Sequence, residues 1–363
     1  MKWNKQQKKM INMIHDILDD IIEQKRDLTY DESYECMNDL IGGEYPDSVV
    51  AAFLTAMRIK GESIDEITGL TQSMRDHALQ IDYDPADGEY LVESCGTGGD
   101  TLKTFNVSTT ASIIASAAGA KISKHGNRSV SSKFGGADAL EALGVNLELT
   151  PDEVANSIEK CNFAFIFAPI YHSATKNVMQ IRQQLKTRTI FNLLGPISCP
   201  SHVTARITGV YDPDVVEDIA KVSMNLGVKR GMIVHGFDAD GNPAMDEISN
   251  VGKTKVAFIN DGKIDVKYIT PEDFGLEYSD AEDITAPDSA DEHLEIIKNI
   301  ISNKVETKSD KARMDLALMN AAAILYVADK VDSLKEGVSV ARRCIEDGSA
   351  QKQLELIVKY SNC

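Results

Sequence analysis

A chain of 363 residues, 43% hydrophobic and 26% charged, is ordinary globular material whose length suits two or three domains. Its formal charge of −18 would repel a phosphate backbone, which argues against nucleic-acid binding, so an anionic ligand would need a locally positive site made by backbone N–H groups, helix N-termini, a few cations or a metal. The six scattered cysteines form no C-x-x-C pair and fit free thiols in a reducing cytosol, and no apolar run reads as a signal peptide or a membrane span, so the expectation is a cytoplasmic protein without a membrane partner.

The first eighty or so residues repeat apolar positions at helical spacing, as in Ile11, Ile14, Leu18 and Ile21, then Val49, Ala52, Phe53, Ala56 and Met57. Thr29 with Glu32 and Ser63 with Glu66 are capping boxes. The expectation is a helical domain over residues 1–88, completed by helices within about 170–195, followed by an α/β domain over 89–363. From about Tyr90, short apolar runs end in glycine and precede helical stretches, the pattern of buried parallel strands and crossover helices. Candidate strands are 90–94, 121–123, 163–167, 205–210, 232–235 and 256–259. Thr150 and Glu153 form a third capping box, Asn260-Asp261-Gly262 predicts a hairpin whose antiparallel pair edges the sheet, and 312–325 and 334–347 close the chain as helices. The fold class is thus α/β: a small all-helical N-terminal domain and a larger domain with a mostly parallel central sheet.

Four constellations could carry chemistry. Cys95-Gly96-Thr97-Gly98-Gly99-Asp100 lies between a predicted strand and a predicted helix, where glycines let backbone N–H groups face an anion. It matches neither common nucleotide motif, and a plain strand-to-helix turn stays open. Lys124-His125-Gly126-Asn127-Arg128-Ser129-Val130-Ser131-Ser132 concentrates donors that suit a phosphate or carboxylate, and with Asn106, Ser108 and Thr109 could wall one ligand; a solvated polar loop is the other reading. Asp246-Glu247 offers hard oxygens for Mg²⁺ shared with substrate phosphates, or merely solvated charge, and Asp238-Ala239-Asp240-Gly241 reads as a turn. Arg182, in a helical stretch spanning 181–189, could hold a carboxylate bidentately or be solvated, whereas Cys95 has no His–Asp pair to activate it and reads as a small residue at a tight strand end.

Taken together, residues 96–100, 104–109, 124–132 with Gly135, Ala137 and Asp138, the segment Arg188-Thr189-Ile190-Phe191-Asn192-Leu193-Leu194-Gly195-Pro196, and residues 246–249 resemble the anthranilate phosphoribosyltransferase family. Less specific matches at 51–61 and 320–337 extend the resemblance over nearly the whole chain in the same order. The resemblance implies a helical and an α/β domain, a homodimer through the helical domain, a site at the hinge, and transfer of a phosphoribosyl group from phosphoribosyl diphosphate (PRPP) to anthranilate, in tryptophan biosynthesis. It assigns PRPP to Gly96, Gly99, Asp100, Thr104, Asn106, Val107, Ser108, Thr109, Lys124, His125, Gly126, Asn127, Arg128, Ser129, Val130, Ser131, Ser132 and Gly136. Anthranilate would meet Gly96, Asn127, His172 and Arg182, and Mg²⁺ would use Ser108, Asp246 and Glu247. Gly136 stands where the family often has Ser, Lys186 where it often has Gly, and Cys95 where it has an aliphatic residue. A pyrimidine nucleoside phosphorylase-like enzyme and a non-catalytic nucleic-acid-binding paralogue are the alternatives.

Overall fold

In the computed structural model, which describes residues 5–128, 134–287 and 289–363, the chain divides into two compact units. Met1–Gln80 and Pro169–Pro200 form the first, Ile81–Ala168 and Ser201–Cys363 the second.

The first unit is helical, with helices Lys5–Gln24, Tyr30–Gly42, Asp47–Lys60, Ile64–Asp76, Lys176–Leu185 and Phe191–Leu194. Ile14, Leu18 and Ile21 are buried on one stripe of the first helix, as their spacing predicts. In the third helix Phe53, Ala56 and Met57 are buried as read, together with Val50 and Leu54, whereas Ala52 faces solvent and Val49 is half-buried, so the stripe starts one residue later than the sequence pattern suggested. Both capping boxes form. Glu66 does more than cap, because its fully buried carboxylate accepts from Ser63 N–H at 2.7 Å, Leu28 N–H at 2.8 Å and Lys60 Nζ at 2.9 Å. The helical stretch read over 181–189 stops at Leu185, because Lys186 turns left-handed at φ 49° and leaves Arg188 outside the helix.

The described residues of the second unit form eight strands: β1 Leu91–Gly96, β2 Lys121–Gly126, β3 Phe163–Phe167, β4 Ala205–Gly209, β5 Arg230–Phe237, β6 Pro243–Met245, β7 Thr254–Asn260 and β8 Lys263–Ile269. Their order is β3-β2-β1-β4-β5-β7-β8, with β6 also paired to β5. The first five run parallel, and β6, β7 and β8 add antiparallel pairings, so the sheet is mostly parallel with an antiparallel edge. The expected hairpin has Asp261 and Gly262 as its two-residue loop, at φ 43° and 83°, the signs a tight hairpin turn between twisted strands requires. On the edge strand β8, Lys263, Asp265 and Lys267 are exposed.

Strand β2 is longer than the three residues read from the sequence. Its ladder with β3 runs on through Lys124↔Phe165, His125↔Ile166 and Gly126↔Phe167, so these three polar-stretch residues are strand, not loop. On one sheet face, helix Lys308–Val327 is buried nearly all round, among apolar residues of β1, β2, β4 and β5 and of helix Val107–Ala117. The other face carries charge: Glu93 and Arg206, register partners on β1 and β4, are fully buried and pair at 2.5 Å, with His125 Nδ1 4.0 Å from Glu93.

Candidate active site

An open parallel sheet leaves a crevice where neighbouring strands send their connections in opposite directions, and ligands bind there, beyond the carboxyl ends of the strands. Here that point lies between β1 and β4, whose last residues Gly96 and Gly209 are register partners. Asp246 fills the space their missing side chains leave. A Cβ on Gly96 would lie 2.1 Å from Asp246 Oδ2, and one on Gly209 1.5 Å from the Asp246 carbonyl oxygen. The sequence reading missed Gly209, whose only local signal is a glycine closing an apolar run.

The loop after β1 is fixed by its neighbours. Gly98 and Gly99 take φ of 68° and 98°, which admits glycine without strain. Gly98 N–H donates to Asp246 Oδ2 at 2.7 Å, Asp246 N–H donates to Asp100 Oδ1 at 2.8 Å, and Thr97 N–H donates to the Gly209 carbonyl at 3.0 Å. The loop thus presents an N–H to an anion, and the anion it meets here is the chain's own carboxylate.

Ser94, Cys95, Ser108, Asp246, Glu247 and Asn320 line one small cavity at this point. Ser108 comes from the first turn of helix Val107–Ala117, preceded by Asn106, whose Nδ2 donates to the Phe134 carbonyl at 3.3 Å rather than capping the helix. Lys124 is buried, donating from Nζ to the Ser94 carbonyl at 2.7 Å and to Ser108 Oγ at 3.1 Å. Burial lowers its pKa. Burial, and then the charge of Asp246, push Glu247 up to about 8, while Lys124 and the Ser108 backbone N–H pull the other way. Asp100 is raised well above the carboxylate range by burial and then by Asp246. This is a site with more carboxylate than nearby cation can neutralise. Burial pushes the Cys95 thiol to about 12, which removes it as a nucleophile at neutral pH.

The rest of the polar stretch scatters. Lys124 reaches Ser108, whereas His125, one residue on along the strand, faces Glu93 on the opposite face. Asn127 Oδ1 accepts from Arg128 N–H at 2.7 Å. Arg128 binds Asp138 at 2.9 Å and both Glu141 oxygens at 2.7 and 2.8 Å, with its guanidinium 5.6 Å from the Phe167 ring centre. Ser129, Val130, Ser131 and Ser132 lie outside the described residues. Thr104 is half-buried, Val107 and Thr109 are buried, and Gly136 opens helix Gly136–Ala142 with Thr109 Oγ1 3.2 Å from where its Cβ would stand.

Two predicted residues belong to the helical unit. His172 is buried, hydrogen-bonded to the backbone of Ser198 and Met74, and burial drops its pKa to about 4, so it is neutral. Arg182 projects from helix Lys176–Leu185, 5.2 Å from the Phe191 ring centre and 3.1 Å from Met179 Sδ. Burial lowers its pKa, and it forms no ion pair among the described residues. No helix of the described residues is long and apolar enough to cross a membrane, and among them no three His, Cys, Asp or Glu side chains form a metal-holding group.

Residues 88–351 match the model of the glycosyl transferase family, a/b domain, and residues 15–78 that of the glycosyl transferase family, helical bundle domain. An anthranilate phosphoribosyltransferase of Methanosphaera stadtmanae is 72% identical over 350 residues, covering 96% of this chain and 100% of its own length. The crystal structure of the Thermus thermophilus anthranilate phosphoribosyltransferase matches with a TM-score of 0.85 and 33% identity over 95% of this chain and 99% of that one. The Saccharomyces cerevisiae anthranilate phosphoribosyltransferase in complex with PRPP and Mg matches at 0.85 with 26% identity, over 97% and 98% of the two chains.

Proposed function

We propose, because this chain belongs to the anthranilate phosphoribosyltransferase family, that it transfers the 5-phosphoribosyl group from PRPP to anthranilate, giving N-(5-phosphoribosyl)anthranilate and diphosphate in tryptophan biosynthesis. The observation that carries this reading is the 72% identity to a named relative across nearly the whole of both chains. The crevice at the ends of β1 and β4 supports it physically, since its groups suit a phosphorylated ligand.

The reaction displaces diphosphate from ribose C1 by a neutral aromatic amine. Such an amine needs positioning more than deprotonation, and the leaving group needs its charge held. That division suits a site whose described residues form no catalytic dyad. Gly96, Gly99, Asp100, Thr104, Asn106, Val107, Ser108, Thr109, the residues from Lys124 to Ser132 and Gly136 would bind PRPP, His125 through its backbone alone because its side chain faces Glu93. Lys124, held on Ser108, would act mainly by fixing the helix N-terminus on which the phosphates rest.

Ser108, Asp246 and Glu247 fit Mg²⁺, because the ion favours one or two carboxylates plus substrate oxygens over an all-protein cage, and the raised Glu247 and Asp100 mark a site short of positive charge. When bound, the ion would draw charge from the departing diphosphate. Gly96, Asn127, His172 and Arg182 would hold anthranilate, with Arg182 on its carboxylate: a half-buried guanidinium with no ion-pair partner among the described residues suits that exchange. A homodimer through the helical unit and a cytoplasmic location complete the proposal. Exposed Ile22 and Ile59, at 57% and 78%, support such an interface, and light scattering on Ile59→Glu should show dissociation.

Anthranilate fluorescence should fall when protein, PRPP and Mg²⁺ are combined, and stay constant if PRPP is left out. Constant fluorescence with folded protein and all components present would reject the assignment.

A further inference from the structure

Asn320 sits 3% exposed in the middle of helix Lys308–Val327, among apolar neighbours where an amide is costly unless satisfied. Its Oδ1 accepts from Ile248 N–H at 3.1 Å, and its Nδ2 donates to the Ile248 carbonyl at 3.2 Å and the Leu316 carbonyl at 2.9 Å. A primary amide has two N–H donors, so both are spent inside the protein. Asn320 therefore serves Ile248 as a neighbouring strand would, at a residue that belongs to no strand.

The segment around it is held the same way. Asp246 N–H is tied to Asp100 Oδ1 at 2.8 Å, and Ser249 N–H to Thr254 Oγ1 at 2.9 Å. Side chains, not a ladder, fix the backbone on both sides of Glu247. Without the amide, Ile248 would keep a buried N–H and C=O unpaired, and the segment would move to recover them.

We propose that Asn320 is a positioning residue which, through Ile248, sets the direction of the Asp246 and Glu247 carboxylates and so governs how the site takes Mg²⁺ together with diphosphate. This rests on the PRPP reading above. Although Asn320 borders the cavity, its amide oxygen and nitrogen are engaged by Ile248 and Leu316, so its effect runs through the backbone.

The test compares wild type with Asn320→Leu, which fills the volume, and Asn320→Ser, which serves if the Leu variant does not fold. Ile324→Ala, 1% exposed in the same helix, controls for lost stability alone. Calorimetric titration should show Mg·PRPP binding weakened on the order of tenfold in the Asn320 variants, with PRPP in EDTA changed less than about twofold, as for the loss of a group that orients metal ligands. The Ile248 amide should exchange with solvent faster, and Ile324→Ala should leave Mg·PRPP affinity unchanged. Unaltered Mg·PRPP affinity, equal weakening with and without Mg²⁺, or unaltered Ile248 exchange would each overturn the proposal. Absence of any PRPP binding by wild type would instead sink the PRPP reading. In that case binding of Mn²⁺ alone, followed by electron paramagnetic resonance, must still weaken in the variants or the clamp falls too.

Discussion

The strand-end crevice and the helical unit's candidate residues are built on opposite plans. At the ends of β1 and β4, Asp246 is held from several sides, by Gly98, by Asp100 and by the space two glycines leave. Among the described residues Arg182 of the helical unit rests on a thioether and an aromatic ring, and its charge has no ion-pair partner. The first plan fixes geometry in advance, which suits charge that develops during a reaction. The second would keep a cation available for the carboxylate proposed to bind there. Arg128 of the α/β unit follows neither plan fully, being a cation with two partners, Asp138 and Glu141.

The strongest way to break this contrast is to fill the crevice. Gly96→Ala would put a Cβ 2.1 Å from Asp246 Oδ2, so kcat/KM should fall on the order of a hundredfold with the circular dichroism spectrum unchanged, and near-normal turnover would show that Asp246 is not fixed as described. A pH effect probes the helical side. His172 has a folded pKa of about 4 against an ordinary 6.5, so as pH falls through 6.5 the unfolded chain takes up the proton first. Stability should drop by about 2 kcal/mol between pH 7 and pH 5 from this group, and His172→Gln should remove that slope in urea titrations. Equal slopes in both proteins would reject a buried neutral imidazole.

Smaller effects sharpen the comparison. Arg182→Ala should raise the anthranilate KM roughly tenfold and leave the PRPP KM alone, the size of one lost charge-assisted contact; an unchanged anthranilate KM removes Arg182 from the acceptor site. Glu141→Gln should lower the PRPP KM by no more than a few-fold by freeing half-exposed Arg128, since solvent screens an exposed ion pair and leaves it weak. A higher KM would mean that Glu141 holds Arg128 in place for the substrate. Lys186→Gly should raise stability by about 0.5 kcal/mol by relieving the left-handed turn, net of the extra freedom of the unfolded chain. A loss of stability there would mean that Lys186 makes a contact worth more than the strain.

Much of this architecture could be read from the residues. Capping boxes at Thr29, Ser63 and Thr150 depend on a three-residue spacing and form as read, and the Asp261-Gly262 turn needs two positive φ values that its residue types favour. The density of donors from Lys124 onward was visible too, but not where each points. That depends on β2 extending through Gly126, and its pairing with β3, which lies far along the sequence at Phe163–Phe167, is not a local property. Gly209 and Asn320 were given no role in the site for the same reason: a glycine ending a strand and an amide in an apolar helix acquire meaning only from Asp246 and Ile248, which approach from distant sequence.

The buried pair Glu93 and Arg206 joins strands whose residues are 113 apart along the chain, with Pro169–Pro200 of the helical unit lying between them in sequence. On a ribosome adding roughly 5–20 residues per second, β1 therefore waits on the order of ten seconds for β4. In that interval one edge of β1 is without its partner and a buried acid lacks its counter-charge. The crevice is thus among the last features the nascent chain can complete, and a refolding experiment should see activity return only in a slow phase, after helix content has recovered.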